Sequence, residues 1–393
     1  MKAKGGERKK SGSRLLLVAF IFSTLLVATY FLLVIKAIRF SNKEEQAGCA
    51  LSSSPVVYSG TTTNNSYPSL LAGKYNKNDR ALDCSTMLQD FLSGKIAEVE
   101  VKEGFEKSYI TRTTTQKPFY LATHDAILDS VRAAAFKKGY YYEKILSDVI
   151  SDAFDKKAGQ EGETIFLDVG GNIGWFSLLA KAHGASRAYV FEPYPANIIR
   201  ICESLTLNGW EDSVDLMMTG VGDEVATMPF YKTQGANPGA FSFDKRKAEK
   251  YQRTGGKGEK VRGGIAIITL DAFAEEMGWF EKKTSIAVFK LDVEGFEPRV
   301  MEGAQKLFKS GIIELFAMEM KLHTPEDMRM MIKLLFESGY ELQKHGAWLG
   351  PRNIVEEKYD KWEDFADVMI HGKKYGENLL FHRVADREWR EEY

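Results

Sequence analysis

Cysteine is scarce in this chain, and neither sign of charge is in surplus. The 393 residues hold three cysteines, Cys49, Cys84 and Cys202. Three are too few for a disulfide scaffold, and their spacing fits no zinc site. Cys49 and Cys84 both precede the main domain, and an oxidising lumen would permit them to pair. Lys+Arg 53 against Asp+Glu 54 leaves a formal net charge of -1. Without a basic excess, no nucleic-acid partner is expected. No internal repeat is evident. Apolar and aromatic residues, at 44% and 12%, suit a globular chain rather than a disordered one. The length allows one large domain with appendages, or two domains.

What is present in excess lies at the N-terminus. Leu15–Ile35 runs 21 positions without a charge, and about 20 apolar residues cross a bilayer core. Lys2, Lys4, Arg8, Lys9, Lys10 and Arg14 precede it against Glu7, an excess over the flank that follows. The rule of positive charge on the cytoplasmic side then predicts a cytoplasmic tail over 1–14, a transmembrane signal anchor over 15–38, and the remainder across the membrane. A cleaved signal peptide would have a shorter apolar core and small residues soon after it. Residues 39–117, with Thr61-Thr62-Thr63-Asn64-Asn65-Ser66, have the composition of a flexible stem. Asn64 opens a glycosylation sequon there. The expected product is a single-pass type II membrane protein of the Golgi or another endomembrane, with a lumenal domain over 118–393.

Within 118–393, strand-like and helix-like segments alternate. Helical faces are expected at Ile127, Val131, Ala134 and Ala135, and at Ile145, Leu146, Val149, Ile150 and Phe154. Strands are expected at 164–168, 188–191, 214–218, 286–292 and 312–319, with helices at 175–182, 195–208, 298–309 and 325–338. Segments 340–344 and 378–383 supply a final strand pair. This alternation predicts an α/β fold, a doubly wound, mostly parallel sheet covered by helices on both faces. Ligands of such sheets bind at the carboxyl ends of the strands.

Two clusters carry chemistry. In Phe166-Leu167-Asp168-Val169-Gly170-Gly171-Asn172-Ile173-Gly174 an apolar strand ends in an acid, and a glycine-rich turn opens a helix. Glycine lets the backbone approach a ligand closely. Glu192 follows at the end of the next strand, where an acid accepts hydrogen bonds from ribose hydroxyls. A dinucleotide site would want Gly where Asn172 stands, and Asp168 would face a phosphate unfavourably. S-adenosylmethionine (SAM) has no phosphate and carries an ammonium group that Asp168 can attract. The residues therefore favour SAM over a nicotinamide cofactor. The second cluster is Lys290-Leu291-Asp292-Val293-Glu294-Gly295-Phe296-Glu297-Pro298. Asp292 ends an apolar strand beside the expected pocket. Glu297 has a structural alternative as a partner of the following helix N-terminus. Glu319 and His323, after the fifth strand, are candidates for the pocket rim, and His is a natural general base.

These residues, with Phe191-Glu192-Pro193 and Thr269-Leu270-Asp271, resemble the FkbM family of SAM-dependent methyltransferases over about 123–337. The resemblance implies the seven-stranded class I methyltransferase fold. It implies SAM contacts at Asp168, Gly170, Asn172, Gly174 and Glu192, and places Asp292 and Glu294 near the reacting methyl group. The family pattern usually has Ala where Gly171 stands, a change expected to be harmless. Together with the lumenal setting, it points to methylation of a hydroxyl on a glycan or glycoconjugate. A lipid, small-molecule or protein-nitrogen acceptor, a nicotinamide dehydrogenase and a noncatalytic protein that kept the fold remain open. Asp292, Glu294 or His323 would take the hydroxyl proton. No metal is expected, although Asp292, Glu294 and Glu319 could gather around a divalent cation. The polar, glycine-rich segment 230–265 is either a substrate lid or a surface excursion.

Overall fold

The computed structural model describes residues 83, 84, 88, 108–124, 141–232, 241–243, 249, 260–282, 284–320, 323–346, 361–371 and 378–384. The tail, the anchor, Cys49, the Asn64 sequon, nearly all of the stem and the expected helical face at 127–135 lie outside the described residues. Among the described residues, no helix is long and apolar enough to cross a membrane.

The described elements begin with a hairpin, β1 (Tyr109–Arg112) and β2 (Tyr120–Thr123), then α1 (Lys144–Lys157). An alternating run follows: β3 (Ile165–Val169), α2 (Trp175–Ala182), β4 (Arg187–Phe191), α3 (Pro195–Asn208) and β5 (Val214–Met217). Four strands come next or nearly so: β6 (Gly220–Val221), β7 (Ala226–Lys232), β8 (Phe241–Ser242) and β9 (Lys260–Ile268). The second half holds α4 (Leu270–Glu276), α5 (Trp279–Lys282), β10 (Ile286–Leu291), α6 (Glu297–Glu302), α7 (Gln305–Lys309) and β11 (Ile313–Glu319). It closes with α8 (Pro325–Glu337), β12 (Tyr340–Gly346), α9 (Trp362–His371) and β13 (Asn378–Arg383).

The main sheet has seven strands in the order β12-β13-β11-β10-β3-β4-β5. It is parallel except for β13, which runs antiparallel to both β11 and β12. This is the mostly parallel α/β sheet expected from the sequence. All six residues of β10 and all five of β3 are buried, as a sheet covered on both faces requires. The pleat divides them between two cores. Ile165, Leu167 and Val169 join one apolar cluster, while Phe166 joins the other with Leu146, Ile150 and Phe154 of α1.

Three features lay beyond the sequence pattern. First, β6, β7, β8 and β9 form a separate four-stranded sheet, so 230–232, 241–242 and 260–265 within segment 230–265 are strands rather than loop. Second, the helix expected over 298–309 is two helices, broken at Gly303. A Cβ there would fall 1.9 Å from the Gly222 carbonyl oxygen, so only glycine fits at the break. Third, β1 and β2 lie against α3. The Ala122 amide donates to Ser204 Oγ at 2.8 Å and the Tyr120 amide to Asn208 Oδ1 at 2.9 Å. Residues 108–117, assigned above to the stem, are thereby part of the packed domain.

The cysteine pairing is also corrected. Cys84 is bonded to Cys202 of α3, not to Cys49. Cys202 is fully buried. Nothing in its helical sequence context distinguishes such a cysteine from an apolar core residue.

Candidate active site

Three adjacent strands, β4, β3 and β10, end at the same level. Parallel pairing sets Asp168 beside both Val190 and Lys290. Past the strand ends, the Asp292 amide still donates to the Val169 carbonyl at 3.0 Å. The glycine turn emerges between Glu192 and Asp292. Gly170 and Gly171 both donate to the Phe191 carbonyl, at 2.9 and 3.1 Å. Gly170 has φ 89 and Asn172 φ 50, left-handed conformations that glycine and asparagine tolerate best. A Cβ on Gly170 would lie 1.8 Å from the Asp292 carbonyl oxygen, so only glycine fits. A Cβ on Gly171 would lie 2.4 Å from Val190 Cγ1. The Gly in place of Ala is therefore matched to Val190, and the exchange is not interchangeable in this chain. Gly174, φ 85, begins α2.

Asp168 is fully buried. Ser177 Oγ donates to its Oδ2 at 2.6 Å, and Lys290 Nζ lies 3.5 Å from its Oδ1. Lys290 is itself buried. Its ammonium donates to the Gly170 carbonyl at 2.7 Å and lies 3.7 Å from Asp292 Oδ2. Burial works against its charge, but Asp168 and Asp292 outweigh burial and hold Lys290 above the usual lysine range. One lysine thus ties together the strand acid, the glycine turn and the candidate reacting carboxylate. Its signal in the sequence is a charged residue inside the apolar run Ile286–Leu291.

Glu192 is 5% exposed. Its Oε2 accepts from the Asn172 amide at 2.8 Å. Its Oε1 accepts from the Tyr194 amide at 2.9 Å and from Asn197 Nδ2 at 3.3 Å. Burial pushes its carboxyl up to about 7, opposed by these three donors and by Lys290.

Glu294 lines the cleft and has φ 55, a strained conformation for glutamate. Glu297 is fully buried. Its Oε1 accepts from the amides of Val293 and Gly295 at 2.9 and 3.1 Å, fastening the loop that carries Glu294. His323 Nε2 lies 3.1 Å from Glu297 Oε2. Burial opposes ionisation of Glu297, yet His323 and the backbone donors hold its carboxyl below the usual range. Thr269 accepts from the Ala272 amide at 3.2 Å, capping α4, and Asp271 accepts from the amides of Lys306 and Leu307 at the start of α7. That motif is structural.

Gly170, Asn172, Glu192, Asp292 and Glu294 all line one open cleft of about 590 Å³. Asp168, Gly174 and His323 do not line it. Asp168 acts from behind the turn and His323 from behind Glu297. Phe191, Val221, Phe230 and Phe243 form an apolar wall of the cleft. Phe230 and Phe243 come from the second sheet and its edge, and no local motif marks them. Asp292, Glu297 and Glu319 each bring one carboxylate oxygen within 4.8 Å of the others. Glu297 therefore takes the place expected for Glu294 in the only potential metal-holding group among the described residues.

SAM fits these donors. A glycine-rich turn would admit it close to the strand ends, Glu192 would offer a fixed carboxylate to its ribose, and the apolar wall would suit its adenine.

Residues 168–342 match the family described as methyltransferase FkbM domain. No match to a curated protein sequence is found. Among solved structures, an SAM-dependent O-methyltransferase from Thermotoga maritima is 14% identical, with 68% of this chain and 75% of that one covered, at a TM-score of 0.30. An SAM-dependent methyltransferase from Agrobacterium tumefaciens is 11% identical, with 71% and 70% covered, at a TM-score of 0.32. An rRNA methylase from Streptococcus thermophilus is 10% identical, with 61% and 95% covered, at a TM-score of 0.30. Strand-end geometry and the family match agree: residues 168–342 are a methyltransferase FkbM domain, and its cofactor is S-adenosylmethionine.

Proposed function

We propose that this methyltransferase acts on a hydroxyl of a glycan or glycoconjugate, and does so in an oxidising endomembrane lumen such as the Golgi. The observation that carries the chemistry is Asp292, a carboxylate 35% exposed at the mouth of the cleft, with Lys290 3.7 Å away. The cofactor supplies an electrophilic methyl group when bound. Glu192 and the glycine turn would hold its adenosine half. Asp292 would accept the hydrogen bond, and then the proton, of the acceptor hydroxyl. Lys290 would steady Asp292 from behind, and Glu294 would border the acceptor side.

The location is supported by the Cys84–Cys202 bond, since disulfides persist in oxidising compartments. It agrees with the apolar Leu15–Ile35 segment, its basic N-terminal flank and the Asn64 sequon. An acceptor presenting many hydroxyls suits a lumenal enzyme with no basic excess. The test is incubation of the full-length protein with isotope-labelled SAM and a panel of glycans, read by mass spectrometry. Label on a sugar oxygen is the expected result; label only on lipid or protein nitrogen overturns the acceptor. Protease protection in sealed microsomes checks the location. A domain digested without detergent overturns it.

A further inference from the structure

The N-terminal hairpin lies outside the segment that matches the family. We infer that His124, carried by this hairpin, and Asn197 of α3 are positioning residues for Glu192, so that the hairpin helps to build the cofactor's ribose site. The inference rests on reading Glu192 as the ribose acceptor.

The chain of contacts is short and dry. Asn197 Nδ2 donates to Glu192 Oε1 at 3.3 Å. His124 Nε2 lies 3.0 Å from Asn197 Oδ1. His124 and Asn197 are 0% and 1% exposed. An amide oxygen can only accept, so the facing imidazole nitrogen is the N–H donor. Burial, with Arg200 adding to it, pushes His124 down to about 3, so the ring is neutral. His124 thereby decides which end of the Asn197 amide faces the carboxylate. Were the amide to turn over, its oxygen would meet Glu192 Oε1 and its NH₂ would meet the imidazole N–H. Both contacts would be lost in a buried place, where an unmet polar group is costly.

An independent observation fixes the hairpin in this role. The face of α3 that meets it is polar and buried: Arg200 is 1% exposed, Glu203 8% and Ser204 0%. Ser108 Oγ donates to Glu203 Oε2 at 2.7 Å, and the Ala122 amide to Ser204 Oγ at 2.8 Å. A domain that began at residue 168 would uncover this face.

The experiment measures binding of the demethylated cofactor, S-adenosylhomocysteine, and of an analogue lacking both ribose hydroxyls, to full-length protein by calorimetry. Melting temperature is followed alongside. Asn197→Leu and His124→Phe should weaken the ribose ligand by about three- to tenfold, the scale of one misplaced hydrogen bond. They should leave the deoxy analogue unchanged. His124→Gln, which keeps an N–H donor, should restore part of the discrimination. Equal loss for both ligands means a merely structural role and overturns the inference, as does unchanged discrimination in a folded variant. His124→Phe, one residue removed from Glu192, decides the matter if Asn197→Leu does not fold. Glu192→Gln is the separate control. If it leaves discrimination intact, the ribose reading itself falls; if only it removes discrimination, the ribose reading stands and the positioning role falls.

Discussion

Glu192 and Asp292 sit at the ends of two strands separated by β3 alone, yet their surroundings are opposite. Glu192 is buried and held by three protein donors that fix both oxygens. Asp292 is one-third exposed, with a lysine at 3.7 Å behind it. In the proposed roles, a carboxylate that recognises two hydroxyls gains from being rigid in advance, because ordering it at the moment of binding would reduce affinity. One proposed to meet a variable acceptor gains from being left open and steadied from behind. Lys290 and the glycine turn between them keep the two in register.

The sharpest way to separate the two roles is Asp292→Asn. Turnover should fall by about 10²- to 10⁴-fold, the usual range for loss of a general base, while cofactor affinity changes far less. Single-turnover methyl transfer beside cofactor binding checks it. A mutant with wild-type turnover makes Asp292 a structural carboxylate. Glu192→Ala should show the converse, a loss of about 1.5–3 kcal/mol in cofactor binding, the scale of hydrogen bonds to a charged group. Calorimetry with S-adenosylhomocysteine measures it, and unchanged affinity removes Glu192 from the ribose site.

Next in size is a pH effect confined to Glu192. Burial raises its carboxyl to about 7, so the folded, cofactor-free protein keeps a proton that the unfolded chain has already lost. Its contribution to stability is therefore present at low pH, declines as pH rises from the ordinary carboxylate range to about 7, and is level above that. Cofactor binding has the opposite sign, because the ribose hydroxyls need the ionised form. Affinity should rise with pH up to about 7, by at most about tenfold per unit, and then flatten. Titrations across that range should show the rise in the wild type and lose it in Glu192→Gln; a rise that persists belongs to another group. The smallest effect concerns Glu294. Its left-handed backbone, φ 55, favours glycine by up to about 1 kcal/mol, so Glu294→Gly should change stability little in denaturant unfolding, the relieved strain offsetting what the side chain's interactions contribute. A clear loss would show that its side chain supports the loop.

The parallel core was legible because buried strands read as unbroken apolar runs. Ile165–Val169, Arg187–Phe191 and Ile286–Leu291 stand within a residue or two of their expected bounds. Gly170 and Glu192 were legible because a turn without side chains beside an acid is a local pattern. What escaped notice depended on residues distant in the chain. Gly303 is required at the helix break because Gly222 backs onto it. Cys202 pairs across 118 residues. Lys290 stood inside a quoted motif, but its partners Asp168 and Gly170 lie more than a hundred positions away. Phe230 and Phe243 reach the cleft from a second sheet whose strands include short and polar stretches. His323, named as a base for its chemistry alone, lies beneath Glu297 and away from the cleft lining.

The one antiparallel strand bears on how the protein is made. β13 lies between β11 and β12, so the two strands that flank it leave the ribosome first and wait. Until Asn378–Arg383 has been translated, Leu315–Glu319 keeps a row of backbone amides and carbonyls with no strand beside it. An open edge of that kind invites pairing with another nascent chain. The sheet thus cannot close until its seventh strand has been made, and a ribosome stalled a few codons before residue 378 holds a domain whose glycine turn and acidic loop are already translated but whose sheet is still open.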